Sequence, residues 1–190
     1  MSEGEDRSGA GAERALEALL GLCPLDALPR TGWLLRGVQP AESIAGHIVG
    51  VAHVALALAP RVEPALDLGR VLAIALVHDA PEAASGDLPR PAAAHLPPGA
   101  KRSMEDALAR ELVAPLSAEA AAAWRDCAEG ASREARFVKA CDVLQLGVRL
   151  LALERAGHGG LDEFWGHLRE AELAEFPPAE ALRAAIEDRR

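Results

Sequence analysis

The chain has 190 residues, 50% of them hydrophobic and 26% charged. That balance fits one folded domain with a real core and excludes both a disordered tail and a disulfide-stapled mini-protein. The formal net charge of −9 excludes a broad electrostatic face for duplex nucleic acid, so an anionic substrate must be drawn in locally, by a metal ion or a few arginines. Cys23, Cys127 and Cys141 lie far apart and form no CxxC. Such a sparse, odd set predicts a reducing compartment, no disulfide framework and no structural zinc site. The acidic, polar start MSEGEDRSGAGAER does not have the character of a signal peptide. The longest wholly apolar run, Val71 to Val77, is far short of the ~20 residues of a membrane span. The expectation is a soluble, cytoplasmic protein with no membrane association.

Residues 1–12 are rich in Gly, Ser and acid with no apolar period, and are expected to form a disordered tail. Residues 13–190 read as a single all-α domain, because Ala and Leu dominate and β-branched alternation is absent. A first helix is expected from Glu13 to about Leu22, with Leu16, Leu19 and Leu20 on one face. Pro24 to Pro40 is broken by proline and glycine and holds Arg30-Thr31-Gly32-Trp33 and Arg36. A second helix starts near Pro40–Glu42 and gathers Ile44, Ile48, Val51, Ala55 and Leu58 on one face before Pro60 ends it. A third, about Pro64 to Asp79, is apolar nearly all round from Val71 to Val77, as expected of a central helix covered on every side. Pro81 lacks a backbone donor and pushes Ala80 away from helical geometry, so the chain bends or restarts after His78-Asp79. A proline-rich loop, Gly86 to Gly99, leads to helices at about Ala100–Val113, Ser117–Ala128 and Ser132–Ala156. Phe137, Cys141, Leu144, Val148 and Leu151 trace the expected buried face of the last of these. Leu161 to Arg190 reads as one or two short helices interrupted by Pro177-Pro178.

The chemistry gathers at His78-Asp79, an imidazole and a carboxylate at the end of a buried helix. Burying an ionised Asp without a partner costs several kcal/mol, and a cation offsets that cost. The bland alternative is an exposed helix end, where a protonated His meets the dipole favourably. His47 sits on the edge of the second helix's apolar face, and Asp142 lies within the apolar run of the long helix. An acid there is expensive unless it faces a partner. His47, His78, Asp79 and Asp142 together make a mixed nitrogen–oxygen set suited to a divalent metal, with room for water.

Longer stretches carry a resemblance. They are Arg30-Thr31-Gly32-Trp33, Arg36-x-Val38, Glu42-Ser43-x-x-x-His47, Leu76-Val77-His78-Asp79-x-x-Glu82-x-x-x-Gly86-Asp87-Leu88-Pro89 and Phe137-Val138-Lys139-x-x-Asp142. In order and spacing, over about residues 13–175, the sequence resembles the HD-domain metal-dependent phosphohydrolases of the 5′-deoxynucleotidase branch. The resemblance implies an HD-type helical bundle that works as a homodimer, with one divalent ion (Co, Mn, Zn, Fe or Mg) on His47, His78, Asp79 and Asp142. It implies an acid–base role for Glu82 and an Asp87 that positions or activates the attacking water. Trp33 would line the sugar site, and Arg36 and Arg30 would contact phosphate. The implied substrate is a small nucleotide, and the reaction releases phosphate from deoxyribonucleoside 5′-monophosphates. The chain departs from the branch at Gly46, where an acid is usual, at Gly37, often Asn, and at Gly32, where some bacterial members carry Arg.

Three other readings compete. The first is an HD hydrolase of another small phosphate ester in a specialised pathway. The second is a di-iron HD oxygenase, which needs two extra histidines between the HD pair and the final Asp, where this chain has only His95. The third is a non-catalytic HD binding or regulatory module.

Overall fold

Short polar side chains set the helix starts around which the bundle is arranged. The Ser43, Ser117 and Ser132 hydroxyls and the Asp67 carboxylate each accept the backbone N–H three residues on, at 3.0–3.1 Å. Each such cap is worth about 1 kcal/mol. In this computed structural model, which describes residues 3–190, the helices are α1 (Glu3–Leu22), α2 (Thr31–Leu34), α3 (Ile44–Leu58), α4 (Leu68–Val77), α5 (Glu82–Ser85), α6 (Arg90–Ala93), α7 (Ala100–Leu112), α8 (Ala118–Glu129), α9 (Arg133–Arg155), α10 (Asp162–Glu170) and α11 (Pro177–Glu187). Among the described residues there is no strand, only an isolated bridge between Pro29 and Ser43. The all-α expectation holds.

The long helix α9 is the axis. Helices α3, α4, α8, α10 and α11 all pack on it, and α3 and α4 also pack on each other. Val51, Ala55, Val71, Ile74, Phe137 and Leu144 form the centre of the core. Gly147 permits the close approach of the last two helices, since a Cβ there would lie 2.9 Å from Leu168 Cδ2 and 3.4 Å from Ile186 Cδ1. Asp126 ties α4, α8 and α9 together. It accepts from the Ser132 backbone and hydroxyl and from Arg70.

Several expectations need correction. α1 starts at Glu3, not Glu13, and so takes in most of the segment expected as a tail; Met1 and Ser2 lie outside the described residues. Leu16, Leu19 and Leu20 share a surface as expected, yet all three are about half exposed, because α1 lies at the edge and packs mainly on α5, α7 and the Cys23–Asp26 turn. α4 starts at Leu68 because Asp67 caps it. It is not covered all round, since α3, α8 and α9 leave Leu76 open to solvent. Val148 is likewise exposed, while Gln145, Gly147 and Leu150 take the buried positions around it. Pro177-Pro178 starts α11 instead of interrupting it, since the first helical turn needs no backbone donor. The Gly86–Gly99 loop contains the single turn α6.

The window Ile44–Arg61 has a mean hydropathy of 1.4 and is long and apolar enough to cross a membrane by length and composition. His47 and His53 interrupt the apolar residues of this window, so it contains no long unbroken apolar run. Here the segment is the core helix α3, packed on α4 and α9.

Candidate metal centre

Three helix positions meet at one point. His47 lies one turn into α3, His78 and Asp79 follow the last residue of α4, and Asp142 lies mid-way along α9. The expected break after Asp79 is real. Pro81 precedes the short helix α5, whose first residue is Glu82 and whose end is set by Gly86 at φ +69°. That restart turns Glu82 back toward the His-Asp pair.

The donor atoms are close. His47 Nε2 lies 3.0 Å from Asp142 Oδ1 and 3.5 Å from Asp79 Oδ2. His78 Nε2 lies 3.3 Å from Asp79 Oδ2 and 3.4 Å from His47 Nε2. One ligand atom each from His47, His78 and Asp79 falls within a 4.8 Å cluster, and Asp142 joins through His47. The other imidazole nitrogens are already used. His78 Nδ1 donates to the Ala75 carbonyl at 2.7 Å, and His47 Nδ1 lies 2.7 Å from Gln145 Oε1. Both rings therefore turn Nε2 toward the cluster, and as neutral imidazoles would offer its lone pair to a metal.

The charge balance calls for a cation. Burial pushes the Asp79 carboxyl up, but His78, His47 and Arg30 outweigh it and hold the group well below the usual carboxylate range. Burial also pushes Asp142 up, and the hydrogen bond and charge of His47 reverse the shift. Burial lowers the pKa of His78, yet Asp79 and Asp142 outweigh it and raise the group to about 9. The carboxylates thus draw a proton onto an imidazole, in the place where a divalent ion would supply more charge. Two oriented imidazoles and two carboxylates suit such an ion.

The cluster forms the floor of a cleft of about 620 Å³. Arg30, Trp33, Arg36, Asp79, Glu82, Asp87 and Asp142 all line it. His47 is fully buried beneath, and His78 faces a second, smaller cavity of about 190 Å³ that also touches Asp79 and Asp142. Glu82 is buried, and its Oε2 has no partner. Burial, then Asp79 and Asp87, raise its pKa to about 9. Asp87 Oδ2 accepts the Thr31 N–H, and its carbonyl accepts the Thr31 hydroxyl at 2.8 Å. One carboxylate oxygen of Asp87 therefore holds the start of α2, which carries Trp33. Arg30 pairs with Asp79 at 3.1 Å, and Arg36 pairs with Glu163.

Several residues to which the sequence assigned no role also contribute. Gln145 and Glu42 form a chain behind His47, with Gln145 Nε2 donating to Glu42 Oε1 at 2.8 Å. Gly50 makes room for it, since a Cβ there would meet Gln145 at 2.8 Å. Phe164 packs on Trp33, ring centres 4.5 Å apart. His167 holds Arg90 at the cleft wall. Gln145 had a usable signal, being a polar residue in the apolar run of α9 one turn after Asp142. Phe164 and His167 had none, because they reach the cleft only through the packing of α10.

Gln145→Leu removes the acceptor that fixes the His47 tautomer. It is expected to weaken divalent-metal affinity about 10–100-fold, read by competitive titration against a chelating dye, with unchanged affinity contradicting the role. Glu82 gives a pH test. Its carboxyl ionises near the ordinary 4.5 when unfolded and near 9 when folded, so it costs stability increasingly as pH rises between those values. Metal-free Glu82→Gln is expected to melt above the parent at about pH 8, with the gap shrinking toward about pH 5. A variant that melts lower at both pH values contradicts the assignment.

Comparison with known proteins agrees with this geometry. A family model described as HD domain matches residues 25–168. The human protein named 5′-deoxynucleotidase HDDC2 is 30% identical over 164 residues, 83% of this chain and 78% of its own length. Its Bos taurus counterpart is 32% identical over 143 residues, 73% of this chain and 67% of its own length. The crystal structure of PH0347 protein from Pyrococcus horikoshii OT3 superposes with a TM-score of 0.78 at 31% identity, covering 92% of this chain and 99% of that one. With a family model matched over most of its length and a His-Asp pair at the heart of its ligand cluster, the chain belongs to the HD domain family.

Proposed function

We propose that this protein is a metal-dependent phosphohydrolase that releases phosphate from deoxyribonucleoside 5′-monophosphates. The observation that carries this reading is the convergence of His47, His78, Asp79 and Asp142 beside buried Glu82, at the floor of a cleft. A cleft of about 620 Å³ is in the range of small-molecule sites. The relatives named 5′-deoxynucleotidase supply the substrate class.

In this reading the four residues hold one divalent ion. When bound, the ion supplies charge neutralisation to phosphoryl oxygens and lowers the pKa of nearby water. The remaining steps belong to the chain's own side chains. Glu82, kept protonated by burial and acidic neighbours, donates its proton to the departing 5′-oxygen. Positive charge at the cluster brings its pKa down toward the working pH. Asp87 has one carboxylate oxygen on the Thr31 N–H and uses the other to orient the attacking water. Two carboxylates in unlike surroundings thereby divide the acid and water-orienting roles. Arg30 steadies Asp79 and keeps further N–H donors for phosphate. Arg36 reaches phosphate by exchanging its partner Glu163. Trp33 and Phe164 give the sugar an apolar wall. We also take the enzyme to be a cytoplasmic homodimer, with the exposed Leu16, Leu19 and Leu20 of α1 as apolar surface for a second copy.

The test is phosphate release from a panel of phosphate monoesters with added manganese or cobalt. Deoxyribonucleoside 5′-monophosphates are expected to exceed sugar phosphates in kcat/KM by about tenfold or more, and Glu82→Gln to lower kcat by about 10²–10⁴-fold. Equal turnover of sugar phosphates and deoxynucleotides contradicts the substrate assignment. A Glu82→Gln variant as active as the parent contradicts the mechanism.

A further inference from the structure

One side of α10 reaches across the cleft three times. Glu163 pairs with Arg36, Phe164 packs on Trp33, and His167 Nδ1 accepts from Arg90 Nη1 at 2.8 Å. Residues 163 and 164 stand four and three positions before 167, the spacing of neighbours on a helix surface.

These contacts treat the cleft's cations unequally. Arg30, Arg36, Arg90 and Lys101 line it. Arg30 is paired with Asp79, Arg36 with Glu163, and Lys101 with Glu105 at 3.3 Å. Among the described residues, Arg90 alone of these four has no carboxylate partner; an imidazole anchors it instead. Burial and Arg90 itself hold His167 below the usual imidazole pKa, so the ring stays neutral and accepts without cancelling the arginine's charge. Arg90 and His167 line the same cleft as Asp79 and Asp142.

Pro89 and Pro91 fix φ on either side of Arg90, at the start of α6; the guanidinium itself is held by its hydrogen bond to His167. A guanidinium held in this way loses less conformational freedom on binding an anion, and its remaining N–H donors suit a bidentate contact with phosphate oxygens.

We propose that Arg90, oriented by His167, is a substrate-binding residue that takes the phosphoryl group of a phosphate monoester in the cleft. Arg30 and Arg36 are mainly committed to carboxylates. His167 is a positioning residue acting through Arg90. This inference rests on the phosphohydrolase reading for its substrate class.

Its test pairs kinetics with binding of inorganic phosphate, which is read by equilibrium titration of the manganese-loaded protein. Arg90→Ala is expected to raise both the phosphate Kd and the KM for a deoxyribonucleoside 5′-monophosphate by about tenfold or more, the size of a lost hydrogen bond to a charged group. kcat should stay within about threefold, and Arg90→Lys should recover part of the loss. His167→Ala should raise KM less than Arg90→Ala does, and His167→Gln, which keeps an acceptor, should restore it. Circular dichroism checks that each variant is folded. Folded Arg90→Ala with unchanged Kd and KM overturns the proposal while leaving the hydrolase reading standing. Wild-type protein that hydrolyses no ester, yet binds phosphate better than Arg90→Ala by the expected factor, overturns the hydrolase reading and supports the role of Arg90 in anion binding. Wild-type protein that neither hydrolyses esters nor binds phosphate overturns both.

Discussion

Two carboxylates cannot share a half-buried corner with their charges bare. Asp79 and Asp142 meet around the Nε2 atoms of His47 and His78, with donor separations of 3.0–3.5 Å. In such surroundings repulsion between like charges is much stronger than in water. The metal-free protein relieves it with a proton on His78 and with Arg30. A divalent ion relieves it better, and the rest of the site follows from that. Glu82 stays protonated because it is buried and because Asp79 and Asp87 beside it already carry negative charge, and the charge of Asp79 draws Arg30 onto it.

The bundle supplies the rigidity this corner needs. The three segments that carry the candidate ligands lie on α3, at the end of α4 and on α9, the helices that pack on one another around the core. The Ser43 cap stands one turn before His47, so the cap and the ligand are set by the same first turn. Behind the ligands, Ala75 and Gln145 fix both imidazole tautomers. Such supporting hydrogen bonds matter nearly as much to a metal site as the ligands themselves. The opposite wall differs in kind. It is built from the short turns α2 and α6 and from α10, joined across the cleft by single side-chain contacts. A site with a rigid floor and a lightly held roof suits a small substrate that must enter and leave.

Much of this was legible in the residues. The 4, 3, 4, 3 apolar spacing of α3 placed Ile44, Ile48, Val51, Ala55 and Leu58 in the core, and all five are buried. Pro81 announced the restart that turns Glu82 inward. Asp142 stood out because an acid inside an apolar run needs a partner, and Gln145 could have been found by the same logic. The failures share a cause. Periodicity says that Leu16, Leu19 and Leu20, or Val148, lie on an apolar surface of a helix, but not whether anything covers it. Covering depends on the neighbours, and α1 has few. Likewise, motif spacing brought Arg30 and Arg36 into the cleft without showing that Asp79 and Glu163 already hold them. Pairing across the cleft depends on where α10 packs, which no local pattern encodes.

The central claim is that four side chains from three segments bind a single cation. Anomalous diffraction from crystals grown with manganese tests it most directly. One strong peak per chain is expected, about 2.0–2.3 Å from His47 Nε2, His78 Nε2 and carboxylate oxygens of Asp79 and Asp142. A peak that leaves His47 or Asp142 outside bonding distance, or no peak at the cluster, would contradict the account.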